Sequence, residues 1–276
     1  MTVFADRALA TRVEALAALG MRRFAEATAS RYPEVSATWA EVGGGIAAYL
    51  GDGSAVSGTA GFGMRGEVST ADVVALECFF LKRRERPLAG VCPFAHPSAA
   101  RAFEERGWTI GSFENVLVRG IDPVEPLPEP DEHVEVRLAH SPDELELWAL
   151  MVANGFAAPD DPTPAEMQLG RAAVVRSDSS FLVGYVDGKP AGTGELQIEA
   201  GVGWLSADTT LPQFRGCGVQ RSLQCARLEL ARAAGCDIAV SESAPGSGSQ
   251  RNMERLGFRV AYTRVEACGP AVAAPR

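Results

Sequence analysis

Residues 134–138 alternate, with Val134, Val136 and Leu138 on one face and Glu135 and Arg137 on the other. That period of two predicts a half-buried strand. Ser141-Pro142-Asp143-Glu144 follows, with a serine N-cap and proline at the first helical position, and Asn154-Gly155 stops the helix after Ala153. Thr163-Pro164-Ala165-Glu166 repeats the signature, with Glu166 at the capping-box position. Residues 180–186, 191–199 and 202–211 read as strands, the first two joined by a hairpin turn at Asp187-Gly188. A long helix is expected over 219–234, then an apolar strand over 237–240. A helix capped by Ser247 or Ser249 and closing on Leu256-Gly257-Phe258 comes next, then a strand over 259–265. Upstream, the apolar run 73–81 predicts a buried helix and Cys92-Pro93-Phe94 the end of a buried strand.

Residues 122–132 carry four prolines and five acids, a composition that supports neither a helix nor a central strand. They read as a linker between domains at 1–121 and 133–267, with 268–276 as a flexible tail. The two halves share an offset of 150 residues. Arg101, Glu104 and Gly107 fall on Arg251, Glu254 and Gly257, an aromatic follows glycine in both, and Arg65-Gly66 falls on Arg215-Gly216. Apolar Leu88-Ala89-Gly90-Val91 falls on Ile238-Ala239-Val240-Ser241. A common offset points to a tandem duplication.

Hydrophobic residues make up 46% and charged residues 22% of the 276, ordinary for a globular chain, and no apolar run is long enough to cross a bilayer. The first residues are acidic and mixed, unlike a signal peptide, so a cytoplasmic location is expected. Six cysteines stand without a C-x-x-C pair or clustered histidines, which argues against a metal site and a disulfide scaffold. A net charge of −9 argues against nucleic-acid binding. Most of it, −7, falls in residues 126–276, where it would favour a cationic amine or serve solubility.

The run Gln213-Phe214-Arg215-Gly216-Cys217-Gly218 lies between a strand and a helix. That arrangement presents unpaired N–H groups to an anion, and its glycines let a diphosphate approach the backbone. The dinucleotide fingerprint fails because Arg221 stands at its third glycine, and no Lys-Ser/Thr pair follows for a P-loop. What remains, Q-x-x-G-x-G with the strand order above and a closing Leu256-Gly257-Phe258, resembles the coenzyme A loop of the GNAT superfamily of acyl-CoA N-acyltransferases over residues 133–267.

The resemblance implies an α/β (α+β) fold with two GNAT-like domains, each a mixed, mostly antiparallel sheet flanked by helices. It implies acetyl-CoA as cosubstrate, no metal, and a small-molecule amine as acceptor. It also implies coenzyme contacts from Thr209, Thr210, Leu211, Gln213, Phe214, Arg215, Gly216, Cys217, Gly218, Val219, Gln220 and Arg221. Nucleic acid and membrane are not expected partners, and the chain would be a monomer or homodimer. In the first half Val68 takes the place of Gly218, so that copy is expected to be degenerate and coenzyme-free. Trp204 stands where many members have a glutamate, and Met253 where many have a tyrosine. The candidate bases are therefore Glu195, Glu199 and Asp208. The candidate acids are Tyr262 or the hydroxyls of Ser243 and Ser249, and Arg251 is weighed for the 3′-phosphate. Two functions remain open: an N-acyltransferase working by direct attack in a ternary complex, and an inactive acyl-CoA-binding sensor or scaffold.

Overall fold

The computed structural model of the chain describes residues 3–158 and 160–271. It comprises two compact units, one centred on Leu117–Arg259 and the other on Phe4–Val116 with the chain from Val260 onward.

The N-terminal unit opens with α1 (Arg7–Arg31), whose N-cap Asp6 accepts from the amide of Leu9. The strands β1 (Thr38–Val42), β2 (Gly45–Tyr49) and β3 (Gly58–Ala60) form an antiparallel sheet. Ala18 of α1 packs against it at Ile46 and Ala60. Then come α2 (Thr70–Leu81), β4 (Leu88–Val91) and α3 (Ser98–Glu105). Phe62, Phe103 and Trp108 stack in their core. The strand β5 (Thr109–Gly120) starts in this unit, while its residues 117–120 belong to the other.

The second unit continues with β6 (Val134–Leu138), α4 (Pro142–Ala157), α5 (Pro164–Ala173), β7 (Ser179–Val186), β8 (Lys189–Glu199) and β9 (Val202–Thr210). Both expected capping boxes form, Ser141 with Glu144 and Thr163 with Glu166. The four strands pair antiparallel in sequence order. After them come α6 (Val219–Ala233), β10 (Ile238–Ser243) and α7 (Gly248–Arg255). β10 runs parallel to β9 and the ladder stops at Val240↔Trp204. One residue further, the Ser241 hydroxyl, 2.8 Å away, donates to the Leu205 carbonyl. α6 buries Leu223 toward β6 and β7, and Leu228 and Ala231 toward Leu196 and Leu205.

The last strand, β11 (Arg259–Cys268), lies in the N-terminal unit between β4 and β5, pairing antiparallel with β4. The linear division at 121 and 133 therefore differs from the compact units, because strands cross it in both directions. The proline- and acid-rich stretch is packed rather than free. Leu127 joins the core under α6, and the Asp131 amide donates to Ser222 Oγ at 2.9 Å. At the C-terminus Cys268 is buried in β11 and the Gly269 amide donates to the Pro87 carbonyl. The rest of the expected tail, from 272, lies outside the described residues.

The offset of the halves recurs in the elements. α3 and α7 open at Ser98 and Gly248, β4 and β10 at Leu88 and Ile238, and β5 and β11 at Thr109 and Arg259, each pair 150 residues apart.

β11 brings a buried polar cluster into the N-terminal unit. Glu14 Oε1 accepts from the Tyr262 hydroxyl at 2.8 Å and from Arg264 Nη2 at 2.8 Å. Burial, and then the Glu14 carboxylate, push the Tyr262 phenol far above its ordinary value and the Cys92 thiol up to about 12. Both groups are held protonated in the fold and ionise more readily once unfolded, so stability is level at neutral pH and falls as pH rises above the ordinary thiol and phenol values. Urea midpoints should drop between about pH 9 and pH 11. Tyr262→Phe should flatten that slope while costing about 1–3 kcal/mol at pH 7, since Glu14 loses a donor. An unchanged alkaline slope would contradict this assignment.

Candidate functional site

Glycine-loop geometry follows from where β9 ends. Pro212–Phe214 makes one short 3-10 turn after Leu211. The chain then takes left-handed backbone at Gly216 (φ 85°) and Gly218 (φ 75°). Only glycine adopts such angles without strain. Gly218 is the N-cap of α6, no side chain caps it, and the first turn carries no acid. The first N–H groups of a 15-residue helix therefore open toward the loop with the positive end of its dipole.

The two glycines do different work. A Cβ built on Gly216 would meet nothing within 4 Å, so that face of the loop is open. A Cβ on Gly218 would lie 2.6 Å from the Asp131 carboxylate and 2.8 Å from its Cβ. Gly218 is thus required by the packed acidic segment as well as by the turn.

A cavity of about 710 Å³ runs from this loop to the end of β9, lined among others by Asp208, Thr209, Thr210, Gly216, Gly218 and Arg221. Of the other residues expected to hold a coenzyme, Phe214, Arg215, Val219 and Gln220 also line it. Leu211, Gln213 and Cys217 do not. The amide of Leu211 is used on the Ala191 carbonyl at 2.9 Å, and Gln213 and Cys217 face solvent.

The opposite wall was not anticipated. Gly155 and the exposed Phe156 come from the end of α4, and Asn252, Arg255 and Leu256 from α7. Asn252 donates to Gln220 Oε1 at 2.7 Å and Gln220 to Ser249 Oγ, tying α7 to the first turn of α6. Arg255, not Arg251, lines the cavity, one helical turn beyond. The 150-residue repeat placed a helix here, but α7 starts at Gly248, capped by Ser247, and that phase decides which arginine faces inward.

The titratable candidates fare differently. Asp208 lines the cavity, with both oxygens bonded to Arg227, which has no exposed surface. Glu195 is buried away from it, ion-paired with Arg176 and accepting from Ser179 Oγ at 2.8 Å and Ser206 Oγ at 3.3 Å. Glu199 does not line the cavity. Tyr262 does not line it either, and its proton is committed to Glu14 in the N-terminal unit. Met253 points into the core. Ser249 lines the cavity, while Ser243 Oγ, buried at the end of β10, finds no hydrogen-bond partner among the described residues.

The N-terminal unit treats its equivalent helix differently. α2 has a serine N-cap, Ser69, locked with Asp72 in a capping box, and the Val68 amide donates to Ser98 Oγ at 2.7 Å. The Asp72 amide donates to the Ser69 hydroxyl at 3.3 Å and the Ser69 amide to the Asp72 carboxylate at 2.8 Å, so these donors at the start of α2 are already taken.

No family model and no curated protein matches this sequence. Solved structures do. A GCN5-related N-acetyltransferase from Kribbella flavida aligns with TM-score 0.62 at 22% identity, over 91% of this chain and 95% of that one. One from Sphaerobacter thermophilus aligns with TM-score 0.57 at 20% identity, over 75% and 69%. A tandem GNAT protein from the clavulanic acid biosynthesis pathway aligns with TM-score 0.56 at 15% identity, over 75% and 70%. These likenesses show the fold alone, mixed α/β with mostly antiparallel sheets, shared with solved GCN5-related N-acetyltransferases and a tandem GNAT protein. Among the described residues no helix is long and apolar enough to cross a membrane.

Gly218→Ala should cost more stability than Gly216→Ala, because only its methyl meets Asp131. Each pays about 1–2 kcal/mol for left-handed backbone. Asp131→Gly should recover part of the Gly218→Ala loss and none of the Gly216→Ala loss in urea unfolding. Equal costs for the two alanines would refute the division of roles.

Proposed function

We propose that this protein is an acyl-CoA-dependent N-acyltransferase, with acetyl-CoA as donor and the amine of a small molecule as acceptor, joined by direct attack in a ternary complex. The observation that carries the reading is the N-terminus of α6, which no side chain caps and whose first turn carries no acid, opening through Gly216 into a cavity lined by Arg215, Arg221 and Arg255. A diphosphate fits that cradle in charge and shape. The backbone of Gly216, Gly218 and Val219 would hold it, with the three arginines taking its remaining charge. Thr209 and Thr210 would face the pantetheine arm, opposite Asn252 and Leu256. The coenzyme supplies the activated acyl thioester. The chain would hold and orient it.

Neither Asp208 nor Glu195 is available as a free base, since each is bonded to a buried arginine. In this reading solvent takes the amine proton and protonates the departing coenzyme A thiolate, since the buried Ser243 hydroxyl does not line the cavity. The N-terminal unit would be coenzyme-free, its helix N-terminus filled by Ser69 and Asp72. The same engaged carboxylates favour the second reading, an acyl-CoA-binding sensor or scaffold.

Titration calorimetry should show acetyl-CoA binding, and Gly216→Asp should abolish it by setting a carboxylate against the diphosphate. Binding that survives this change would remove the basis of the site. Release of free thiol with a panel of amines separates the two readings: turnover above hydrolysis supports the transferase, and tight binding without turnover the sensor. With turnover, log kcat/KM should rise with pH toward the pKa of the amine, without a carboxylate limb.

A further inference from the structure

We infer that Arg227 is a positioning residue that fixes the acyl end of the cavity by holding a bulge in β9; this rests on the coenzyme reading of the site. The pairing of β8 and β9 passes from Thr193↔Thr209 to Glu195↔Ser206, so Ala207 and Asp208 together oppose the single residue Gly194. That is a β-bulge, and it re-aims the strand beyond it. Ala207 takes left-handed backbone there (φ 53°), which an alanine does not adopt unless surrounding bonds impose it.

Arg227 supplies those bonds from α6. Its Nη1 donates to the Ser206 carbonyl at 3.0 Å, the Glu195 carbonyl at 3.1 Å and Asp208 Oδ2 at 3.1 Å. Its Nη2 donates to Asp208 Oδ1, and its Nε to the Leu223 carbonyl at 3.0 Å. Gly194 leaves the room: a Cβ there would lie 2.7 Å from the guanidinium carbon. On the other face Trp148 Nε1 donates to the Gly194 carbonyl at 3.1 Å, and Thr193 Oγ1 to the Ala207 carbonyl at 3.0 Å. The bulge is thus clamped from both sides of the sheet.

Asp208 is its second residue and Thr209 and Thr210 follow it directly, and all three line the cavity. Without the guanidinium, three carbonyls and a carboxylate each lose a donor. β9 can relieve this by closing the bulge, a one-residue slip that turns Thr209 and Thr210 to the opposite faces. The glycine loop lies beyond that change. Asp208, on this account, is the anchor of the clamp rather than the base.

Two ligands separate the two ends of the cavity. Adenosine 3′,5′-bisphosphate extended to its 5′-diphosphate, the nucleotide half of coenzyme A, reports the loop alone, whereas acetyl-CoA also reports the acyl end. Calorimetry on the full chain should show that Arg227→Met keeps nucleotide affinity within about twofold and loses acetyl-CoA affinity by roughly tenfold or more. Gly194→Ala, which pushes on the guanidinium, should shift the same ratio. Arg227→Lys, which keeps the charge but not the fork, should fall between. Leu228→Ala, a core change on the same helix, should lower the unfolding midpoint and leave the ratio unchanged. The inference is overturned if Arg227→Met and Gly194→Ala bind acetyl-CoA like wild type. It is equally overturned if they lose both ligands in parallel, as a general weakening would do. Should Arg227→Met fail to fold, Gly194→Ala and Arg227→Lys decide. Wild-type protein that binds neither ligand sinks the coenzyme reading itself, a result obtained before any variant is made.

Discussion

A guanidinium without exposed surface must find acceptors for its donors inside the protein, and each nitrogen of Arg227 has one. Its acceptors lie on α6, β8 and β9, so one side chain sets the distance between a helix and two strands just before those strands reach the cavity. Around it the sequence is constrained in kind. Gly194 must lack a side chain, Asp208 must carry the countercharge, and Trp148 must cover the far side. A buried pair of this sort is weak evidence for stability, because desolvation offsets much of the attraction. Its value lies in specifying one strand geometry among several that backbone pairing alone would permit.

Most of the second unit was legible from local signals. Capping boxes at Ser141 and Thr163, the hairpin turn at Gly188 and the glycine loop before α6 are all dictated by residues within a few positions of one another. What escaped depends on partners far along the chain. Arg227 reads as an ordinary helix residue until β8 and β9 are placed above it. Glu195 and Asp208 read as candidate bases because the arginines that occupy them are 19 positions away in each case. Tyr262 looked free to act near the site, and instead bonds to Glu14, 248 residues earlier. Residues 122–132 have the composition of a linker, yet Leu127 and Asp131 are held on α6 by contacts that composition does not encode.

Comparison of α2 with α6 shows how small a change separates a structural helix start from a receptive one. Both follow an Arg-Gly step at the shared offset. Ser69 and Asp72 satisfy the start of α2 internally, whereas no side chain caps the start of α6 at Gly218. Stability and binding compete for the same N–H groups. The N-terminal unit resolves that competition toward stability, and the second unit toward the cavity.

Because β11 completes the sheet of the N-terminal unit, that unit cannot acquire its final strand until residues 259–268 have been made. Residues 4–116 leave the ribosome long before residue 260, and the ribosome must finish some 140 further residues, at about 5–20 per second, before the missing strand emerges. During those seconds Glu14 has neither Tyr262 nor Arg264, and the edges of β4 and β5 stand open to the wrong neighbour. The half synthesised first is therefore the half finished last, and a chaperone would meet it as an unclosed sheet.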